Sequence, residues 1–230
     1  MTINSFRSRG EMDLQLANRI AQMLDHGQRR RGLASMALSG GTAPAGLYRR
    51  LSTISRAWST TFITLVDERW VAADHPDSNE RLVRASLLRD EAATATMIGF
   101  ATADSTPAEA ITTVVRRLDK LPLPLDVVVL GMGEDGHTAS WFPGAENLCR
   151  AVDPDGDTAL VAVVPPAAPY SRMTLTLPAV LDSRLLVLQI VGETAMHLLE
   201  RAVSPGPVAE LPVRAVLRQE AVPVEVYWAP

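Results

Sequence analysis

Cysteine is nearly absent from this chain of 230 residues, in which Cys149 is the only thiol. A single cysteine excludes an intrachain disulfide and a metal centre made of several thiolates. A catalytic thiol needs a base nearby, and the flanking residues Glu146-Asn-Leu-Cys-Arg150 offer none. We therefore expect Cys149 to be structural or incidental. No histidines and acids stand at metal-ligand spacing either, so we expect no bound metal.

Long apolar runs and an excess of positive charge are also missing. No stretch approaches the ~18 apolar residues of a membrane span, and residues 1–9 lack the hydrophobic region of a signal peptide. We therefore expect a cytoplasmic protein with no membrane partner. The net charge of −4 argues against a nucleic-acid partner. The short basic run Arg29–Arg31 falls at a predicted helix end, where cations complement the helix dipole.

The composition, with 47% hydrophobic and 21% charged residues, supports a sizeable core under an ordinary surface. We expect one domain over residues 1–230. Apolar stretches typical of strands alternate with amphipathic stretches typical of helices, and Asp13 and Thr42 are candidate N-caps. This alternation predicts an α/β fold, doubly wound, with a mostly parallel sheet and helices on both faces. The predicted strands cover residues 33–38, 62–66, 96–100, 126–130, 160–164, 173–177, 185–190 and 224–228, and the predicted helices cover 13–30, 44–53, 108–118, 193–202 and a segment from about 79.

Three polar loops begin where a predicted strand stops. They are Ser39–Thr42, Asp67–Trp70 and Gly131–His137. The carboxyl ends of parallel strands lie at one edge of a sheet, so we expect the three loops to converge on one crevice. One such loop would mean little, but three that carry polar side chains predict a site.

The first loop is a candidate receptor for an anion. Ser39, Gly40, Gly41 and Thr42 combine backbone N–H groups at a helix N-terminus with two hydroxyls, which suits a phosphate oxygen. The Gly-Lys-Ser/Thr ending of a Walker A loop is missing, so we do not expect a nucleoside triphosphate. A plain tight turn is the alternative interpretation.

The second loop, Asp67-Glu-Arg-Trp70, places two acids and a guanidinium at a strand end. Arg69 can hold an anionic or carbonyl oxygen with its fork of donors. Asp67 or Glu68 would position that arginine or accept hydrogen bonds from substrate hydroxyls. The alternative interpretation is a solvated turn with an internal ion pair.

The third loop contains Gly131-x-Gly-x-x-Gly136, which formally matches the dinucleotide-binding fingerprint. That motif needs a long helix after its last glycine, and here Pro143 follows seven residues later, so we expect no cofactor. His137 sits among these glycines, where a ligand and water can approach closely. An imidazole is suited to take a proton from water near neutral pH. Asp135, two residues earlier, could hold the ring in the required tautomer.

Several segments of the chain form a recognisable set of motifs. They are Leu38–Pro44, Val66–Val71 with Ser78-Asn79, Gly131–Gly144 and Arg172–Thr176. Together they resemble the motifs of the 6-phosphogluconolactonase family, a branch of the glucosamine-6-phosphate isomerase/deaminase superfamily. The resemblance implies a Rossmann-like, glucosamine-6-phosphate deaminase-like fold. It also implies a monomer or homodimer that hydrolyses 6-phospho-D-glucono-1,5-lactone in the oxidative pentose phosphate pathway, without cofactor or metal.

The resemblance also implies roles for individual residues. His137 would be the general base that activates water, and Asp135 would be its partner. Arg69 would bind substrate or stabilise the transition state, while Ser39–Thr42 and Arg172 would hold the phosphate. The substrate-binding positions implied in this way are Ser39, Gly40, Gly41, Thr42, Asp67, Glu68, Asn79, Gly133 and Arg172.

The chain departs from the family pattern at one place. The family often has a lysine early in the helix that follows Val191-Gly-Glu193, where this chain has Thr194-Ala195. If that lysine binds phosphate in relatives, Arg172, Arg214 or Arg218 would have to replace it here.

Two rival functions stay open at this point. Glucosamine-6-phosphate deaminases share the Asp-Gly-His loop but usually continue it with Ile-Ala-Phe-Asn-Glu-Pro, which differs from Thr138–Pro143 here. A non-catalytic sugar-phosphate sensor on the same fold would keep Ser39–Thr42 and Arg172 without needing His137.

Overall fold

The computed structural model describes residues 1–230, and its strands fall into two sheets. All eight strands predicted from the sequence are present, whereas the strands at Thr2–Ser5 and Asp67–Arg69 were not predicted. In chain order the strands are β1 (Thr2–Ser5), β2 (Ala34–Leu38), β3 (Thr61–Leu65), β4 (Asp67–Arg69), β5 (Thr96–Ile98), β6 (Val127–Leu130), β7 (Leu160–Val163), β8 (Arg172–Leu175), β9 (Leu186–Val191) and β10 (Val224–Ala229).

The main sheet has seven strands in the order β1-β10-β9-β6-β2-β3-β5, and every neighbouring pair is parallel. The predicted mostly parallel α/β sheet is therefore confirmed. The strands β3 and β5 lie on the β2 side of the central pair β2 and β6, and the strands β9, β10 and β1 lie on the β6 side. A crevice opens at such a topological switch point, outside the carboxyl ends of the strands. The loops Ser39–Thr42 and Gly131–His137 follow these two strands.

The second sheet corrects two predictions. Its three strands are antiparallel in the order β4-β8-β7, so residues 160–164 and 173–177 do not join the main sheet. The residues that join β7 to β8 are too few for the crossover of a dozen or more residues that parallel strands need. The segment predicted as a loop, Asp67–Trp70, forms β4 and a turn. It pairs with β8, and this pairing places Arg69 opposite Arg172.

Eight α-helices accompany the sheets, and three short ones, Leu148–Ala151, Leu177–Leu181 and Arg214–Arg218, were not predicted. Short 3-10 helices cover Trp58–Thr60 and Asp90–Thr94. In chain order the α-helices are α1 (Arg9–Arg31), α2 (Ala45–Ser52), α3 (Asn79–Ser86), α4 (Pro107–Leu118), α5 (Leu148–Ala151), α6 (Leu177–Leu181), α7 (Glu193–Val203) and α8 (Arg214–Arg218).

Both predicted N-caps are wrong. Helix α1 begins at Arg9 because the Ser8 side chain caps it by accepting a hydrogen bond from the backbone N–H of Glu11 at 3.3 Å. Asp13 lies one turn inside the helix and is buried. Helix α2 follows Pro44 without any side-chain cap, which leaves Thr42 in the preceding loop.

The apolar side chains form one continuous core of 59 buried residues, which spans both sheets and the helices that cover them. This continuity supports the expectation of a single domain over residues 1–230, which stays a prediction. The buried stripe of α1, with Leu16, Ile20 and Leu24 fully inaccessible, lies against β2, β6 and β10. None of the helices combines the length and the apolar character needed to cross a membrane.

Candidate active site

A cavity of about 640 Å³ opens at the carboxyl ends of β2, β6 and β9. All three loops predicted to converge contribute to its wall. Its charged lining carries more positive than negative groups, which favours an anionic ligand. The polar and charged side chains that line it are Arg9, Ser39, Thr42, Asp67, Arg69, Asn79, Glu134, His137, Arg172, Gln189 and Thr194.

His137 and Asp135 form a close pair at this cavity. The two atoms Nδ1 of His137 and Oδ1 of Asp135 lie 2.5 Å apart, and the backbone N–H of His137 donates to the same oxygen at 3.1 Å. A carboxylate at Nδ1 holds the proton on that nitrogen and leaves Nε2 as the free acceptor of the ring. No protein group hydrogen-bonds to Nε2, and the side chain is 30% exposed, so water can reach it.

The environment of Asp135 favours its ionised form. Partial burial acts to raise its pKa, but the hydrogen bonds from the His137 side chain and backbone and the charge of His137 outweigh that effect. The pKa of Asp135 therefore lies below its ordinary value. An ionised carboxylate at this position stabilises a positive charge on His137 when the imidazole takes a proton.

Two glycines let the loop fold against the His137–Asp135 pair. An added Cβ at Gly133 would overlap the imidazole and lie 3.0 Å from Oδ1 of Asp135. Gly136 has a φ of +76° and packs against Leu211. The aromatic ring of Phe142 packs against the imidazole, with ring centroids 4.4 Å apart. The imidazole is thus held in one orientation from several directions.

Arg69 and Arg172 form a pair of like charges on the cavity wall. The pairing of β4 with β8 sets them directly opposite each other. Each has a buried Nε without a hydrogen-bond partner, although Arg69 donates to the Asp77 carbonyl at 2.6 Å and Arg172 to the Pro169 carbonyl at 3.2 Å. Burial, and then the charge of Arg69, lowers the pKa of Arg172 despite the opposing effect of Asp67. An anion between the two guanidinium groups would relieve this repulsion.

Asp67 and Asn79 are fixed side by side at the cavity. One carboxylate oxygen of Asp67 accepts a hydrogen bond from the Ser140 hydroxyl at 2.5 Å. The Asn79 amide donates to the Asp67 carbonyl oxygen at 2.8 Å. An added Cβ at Gly40 would overlap the Asn79 side chain, so the glycine loop lies directly against it. The structure brings these predicted substrate-binding residues together.

Glu68 is the predicted substrate-binding residue that does not line the cavity. Its two carboxylate oxygens accept hydrogen bonds from the backbone N–H groups of Arg69, Asn79 and Glu80 and from the Ser78 hydroxyl, at 2.8–2.9 Å. Burial raises its pKa, although these four donors act in the opposite direction. Successive residues of a strand point to opposite faces, so Asp67 and Arg69 face the cavity while Glu68 faces the N-terminus of α3. Glu68 therefore holds α3 in place.

The loop Ser39–Thr42 has an open conformation at the mouth of the cavity. Gly41 has a φ of +91°, and nothing lies within 4 Å of an added Cβ, so its backbone is accessible to a ligand. The buried Tyr48 hydroxyl donates to the Ser39 carbonyl at 2.6 Å and ties the loop to α2. The backbone N–H of Ser39 donates to the Val129 carbonyl at 3.1 Å, which leaves the N–H groups of Gly40, Gly41 and Thr42 for a ligand. The role of the loop as an anion receptor stays a prediction.

Arg9 is a cation of the site that the sequence did not reveal. Its Nη2 donates to the carbonyl oxygens of Thr42 and Ala43 at 2.5 and 2.8 Å, and the side chain lines the cavity. A cation at the first residue of a helix interacts unfavourably with the helix dipole. This unusual placement is the sequence signal that could have pointed to Arg9. The suggested substitutes Arg214 and Arg218 do not line the cavity and bind the segment before α8 instead.

Gln189 was also missed, because it lies in an apolar run that predicts only a buried strand. The residue belongs to the cavity lining, and its side chain is almost fully buried. No group of three or more His, Cys, Asp or Glu side chains is arranged to hold a metal ion.

Comparison with known proteins assigns the chain to a family. The model of the family described as glucosamine-6-phosphate isomerases/6-phosphogluconolactonase matches residues 7–228. The chain belongs to this family. A relative in the family, the 6-phosphogluconolactonase of Mesorhizobium japonicum, is 42% identical over 227 residues, which are 99% of this chain and 94% of the relative. The 6-phosphogluconolactonase of Pseudomonas aeruginosa is 38% identical over 97% of this chain and 92% of its own length.

Solved structures of the family have the same fold. A crystal structure of a 6-phosphogluconolactonase from Shewanella baltica superposes with a TM-score of 0.97 at 41% identity, and the match covers 100% of this chain and 98% of that one. A monomeric glucosamine-6-phosphate deaminase superposes with a TM-score of 0.77 at 16% identity over 98% of this chain and 97% of its own. The second likeness concerns the fold alone, so the fold does not separate the lactonase from the deaminase.

Proposed function

We propose that this chain hydrolyses 6-phospho-D-glucono-1,5-lactone to 6-phosphogluconate, the second step of the oxidative pentose phosphate pathway. The 6-phosphogluconolactonases that it resembles over nearly their whole length support this activity. The observation that carries the mechanism is the His137–Asp135 pair beside a cavity lined by arginines. We place the reaction in the cytoplasm, and the chain acts as a monomer or homodimer.

The proposed reaction begins when His137 takes a proton from a water molecule through Nε2. The resulting hydroxide attacks the lactone carbonyl carbon, and Asp135 stabilises the imidazolium. Negative charge develops on the carbonyl oxygen, where Arg69 or backbone N–H groups of the glycine-rich loop stabilise it. The tetrahedral intermediate then expels the ring oxygen, which takes the proton from the imidazolium. The products are the open-chain acid and a regenerated base.

The phosphate of the substrate is assigned to the positive part of the cavity. Arg172, the Ser39 hydroxyl and the backbone N–H groups of Gly40–Thr42 are the proposed ligands, whereas the backbone N–H of Ser39 already donates to the Val129 carbonyl at 3.1 Å. Two features support this assignment, namely the position of Arg172 in the cavity lining opposite Arg69 and the open backbone at Gly41. Arg9 adds positive charge beside Thr42. In this scheme Arg9, rather than Arg214 or Arg218, joins Arg172 in replacing the lysine that relatives often have. Asp67 and Asn79 are left to bind the sugar hydroxyls.

The test of this proposal is lactone hydrolysis by the wild type and by His137→Ala, with spontaneous hydrolysis subtracted. We expect the variant to lose at least ~10²-fold in kcat, the lower range for removal of a general base. His26→Ala is the matched control, because His26 is exposed on α1 away from the cavity. An unchanged rate in His137→Ala would exclude the proposed mechanism.

The same assay separates the rival functions. Release of ammonia from glucosamine 6-phosphate without lactone hydrolysis would identify a deaminase. Binding of 6-phosphogluconate by the wild type without turnover of either substrate would identify a sugar-phosphate sensor. Neither rival predicts that loss of His137 abolishes lactone hydrolysis.

A further inference from the structure

Tyr170 has an unusual backbone conformation beside the cavity. It lies in the loop of residues 164–171 that joins β7 to β8, between the cavity-lining residues Ala168 and Arg172. Its φ is +68°, in the left-handed region that large side chains rarely adopt. Such a conformation persists only where the surrounding structure enforces it, and it is common at functional sites. The contacts of Tyr170 therefore indicate what its conformation serves.

A hydrogen bond from Tyr170 joins two loops that are far apart in the sequence. The Tyr170 hydroxyl donates to Oδ2 of Asp77 at 3.0 Å, and Asp77 belongs to the loop of residues 70–78 between β4 and α3. The rings of Tyr170 and His75 meet edge to face, with centroids 5.7 Å apart. Nδ1 of His75 accepts a hydrogen bond from the backbone N–H of Asp77 at 3.1 Å, which fixes the imidazole in turn. The tyrosine side chain thus bridges the two loops.

Each of these loops also holds one of the two arginines that line the cavity. Arg69 donates to the backbone carbonyl of Asp77 at 2.6 Å. Arg172 donates to the backbone carbonyl of Pro169, the residue before Tyr170, at 3.2 Å. The pairing of β4 with β8 sets the two arginines opposite each other. The two strands, the two arginine side chains and the Tyr170–Asp77 bridge therefore form a closed ring of contacts.

This closed ring limits the motion of both guanidinium groups before a ligand arrives. Burial lowers the pKa of Arg172, and the charge of Arg69 adds to that effect, so the two cations repel each other. The carboxylate of Asp77 acts in the opposite direction and partly balances them. Ordering a long side chain on binding costs affinity, so arginines that are already held bind an anion more tightly.

We propose that Tyr170 is a positioning residue, which holds Arg69 and Arg172 in place for an anionic ligand through its hydrogen bond to Asp77. Neither Tyr170 nor Asp77 lines the cavity, so the bridge acts through the arginines and not by contact with the ligand. The inference rests on the proposed function for the identity of the ligand, and it adds a residue on which the affinity for the phosphate group depends.

The test measures KM and kcat for lactone hydrolysis, and by calorimetry the Kd of 6-phosphogluconate and of inorganic phosphate, in the wild type and in Tyr170→Phe. The substitution removes the hydroxyl and keeps the ring beside His75. We expect KM and both Kd values to rise about 5-fold, the fold-change of one ordinary hydrogen bond. The value of kcat should stay within about 2-fold, because the general base is untouched. Tyr227→Phe is the matched control, since it removes a hydroxyl that bonds to Glu225 outside the cavity.

Two further variants separate the bridge from a merely structural role. Asp77→Asn keeps a side-chain oxygen that accepts from the Tyr170 hydroxyl and removes a negative charge beside the arginines. Its KM and Kd values should therefore stay at or below those of the wild type. Tyr170→Gly removes the bridge and suits the left-handed backbone, so its Tm should not fall below that of Tyr170→Phe. Its Kd values should nevertheless rise as far as in Tyr170→Phe.

Unchanged Kd values in Tyr170→Phe or in Tyr170→Gly would overturn the inference. A loss of kcat as large as the rise in KM would overturn it too, because the bridge would then support the whole site and not the arginines. A wild type that binds phosphate but hydrolyses no lactone would overturn the proposed function alone, and the Kd values would still test the bridge. A wild type that binds neither anion would overturn both.

Discussion

Substitution of Gly133 by alanine tests whether the orientation of His137 limits the reaction. An added Cβ at this position would overlap Cε1 and Nδ1 of the imidazole and lie 3.0 Å from Oδ1 of Asp135. Ordinary contact between such atoms is about 3.5–4.0 Å. The ring therefore has to move by about 1 Å or more, and its freedom to move is limited because the ring of Phe142 packs against it.

The size of the expected effect follows from this displacement. A misplacement of about 1 Å in a reacting group costs on the order of 10²-fold in rate. We therefore expect Gly133→Ala to lower kcat by about 10²-fold, close to the effect of His137→Ala. The effect on KM should be small, because the arginines and the loop Ser39–Thr42 stay in place.

The measurement is kcat for lactone hydrolysis with the spontaneous reaction subtracted. Gly131→Ala is the matched control, since Gly131 belongs to the same loop and lines the same cavity but nothing lies within 4 Å of its added Cβ. The control should retain kcat within about 3-fold, well short of the loss that misplacing a general base produces. If Gly133→Ala is as active as Gly131→Ala, the imidazole does not need the orientation that the structure gives it.

Three further predictions concern single side chains. Arg9→Met should raise KM about 10-fold or more, because it removes charge-assisted hydrogen bonds to the glycine loop, whereas Arg7→Met, an exposed neighbour, should not. Glu68→Gln should lower the free energy of unfolding by about 2 kcal/mol and the Tm by roughly 4–8 °C, because an amide NH₂ would face backbone N–H donors. The control Glu91→Gln, at an exposed position, should leave the Tm unchanged. The folded-state pKa of Asp135 is lowered, so its contribution to stability is present above the ordinary carboxyl pKa and lost as pH falls through the folded-state value. The Tm difference between wild type and Asp135→Asn should therefore shrink from about pH 5 to about pH 3, and a difference that grows over that range would contradict the assigned pair.

The main sheet could be predicted from the sequence because its strands carry strong local signals. The run of β-branched residues in β6 and the apolar run in β2 are typical of strands buried on both faces. The loops that follow such strands had to share one edge, which is how His137 and Ser39–Thr42 could be placed together without a structure. The strand β4 carried no such signal, since three polar residues have no hydrophobic alternation.

The unrecognised parts of the site depend on tertiary packing. If β4 had been recognised as a strand, the sequence would have predicted that Glu68 faces away from the cavity that Asp67 and Arg69 line, because alternate residues of a strand point to opposite faces. Arg9 reaches the Thr42 and Ala43 carbonyl oxygens only because α1 packs against α2, an arrangement that the hydrophobic periodicity of either helix does not specify. Periodicity predicts which face of a helix is buried but not which helix end meets which loop.

Glycines at several points of this site leave room for polar side chains from elsewhere in the chain. This explains why the local sequence did not predict those polar groups. Asn79 lies against Gly40 and Asp13 against Gly46, in each case where a Cβ would overlap the polar side chain. Each partner comes from a distant part of the chain, so the motif that contains the glycine does not name the group that it accommodates. The third case, Gly133, differs because its partners are its neighbours in the loop, and there the sequence did predict the pair. Glycine in such motifs therefore indicates close approach of a polar side chain as much as freedom of the backbone.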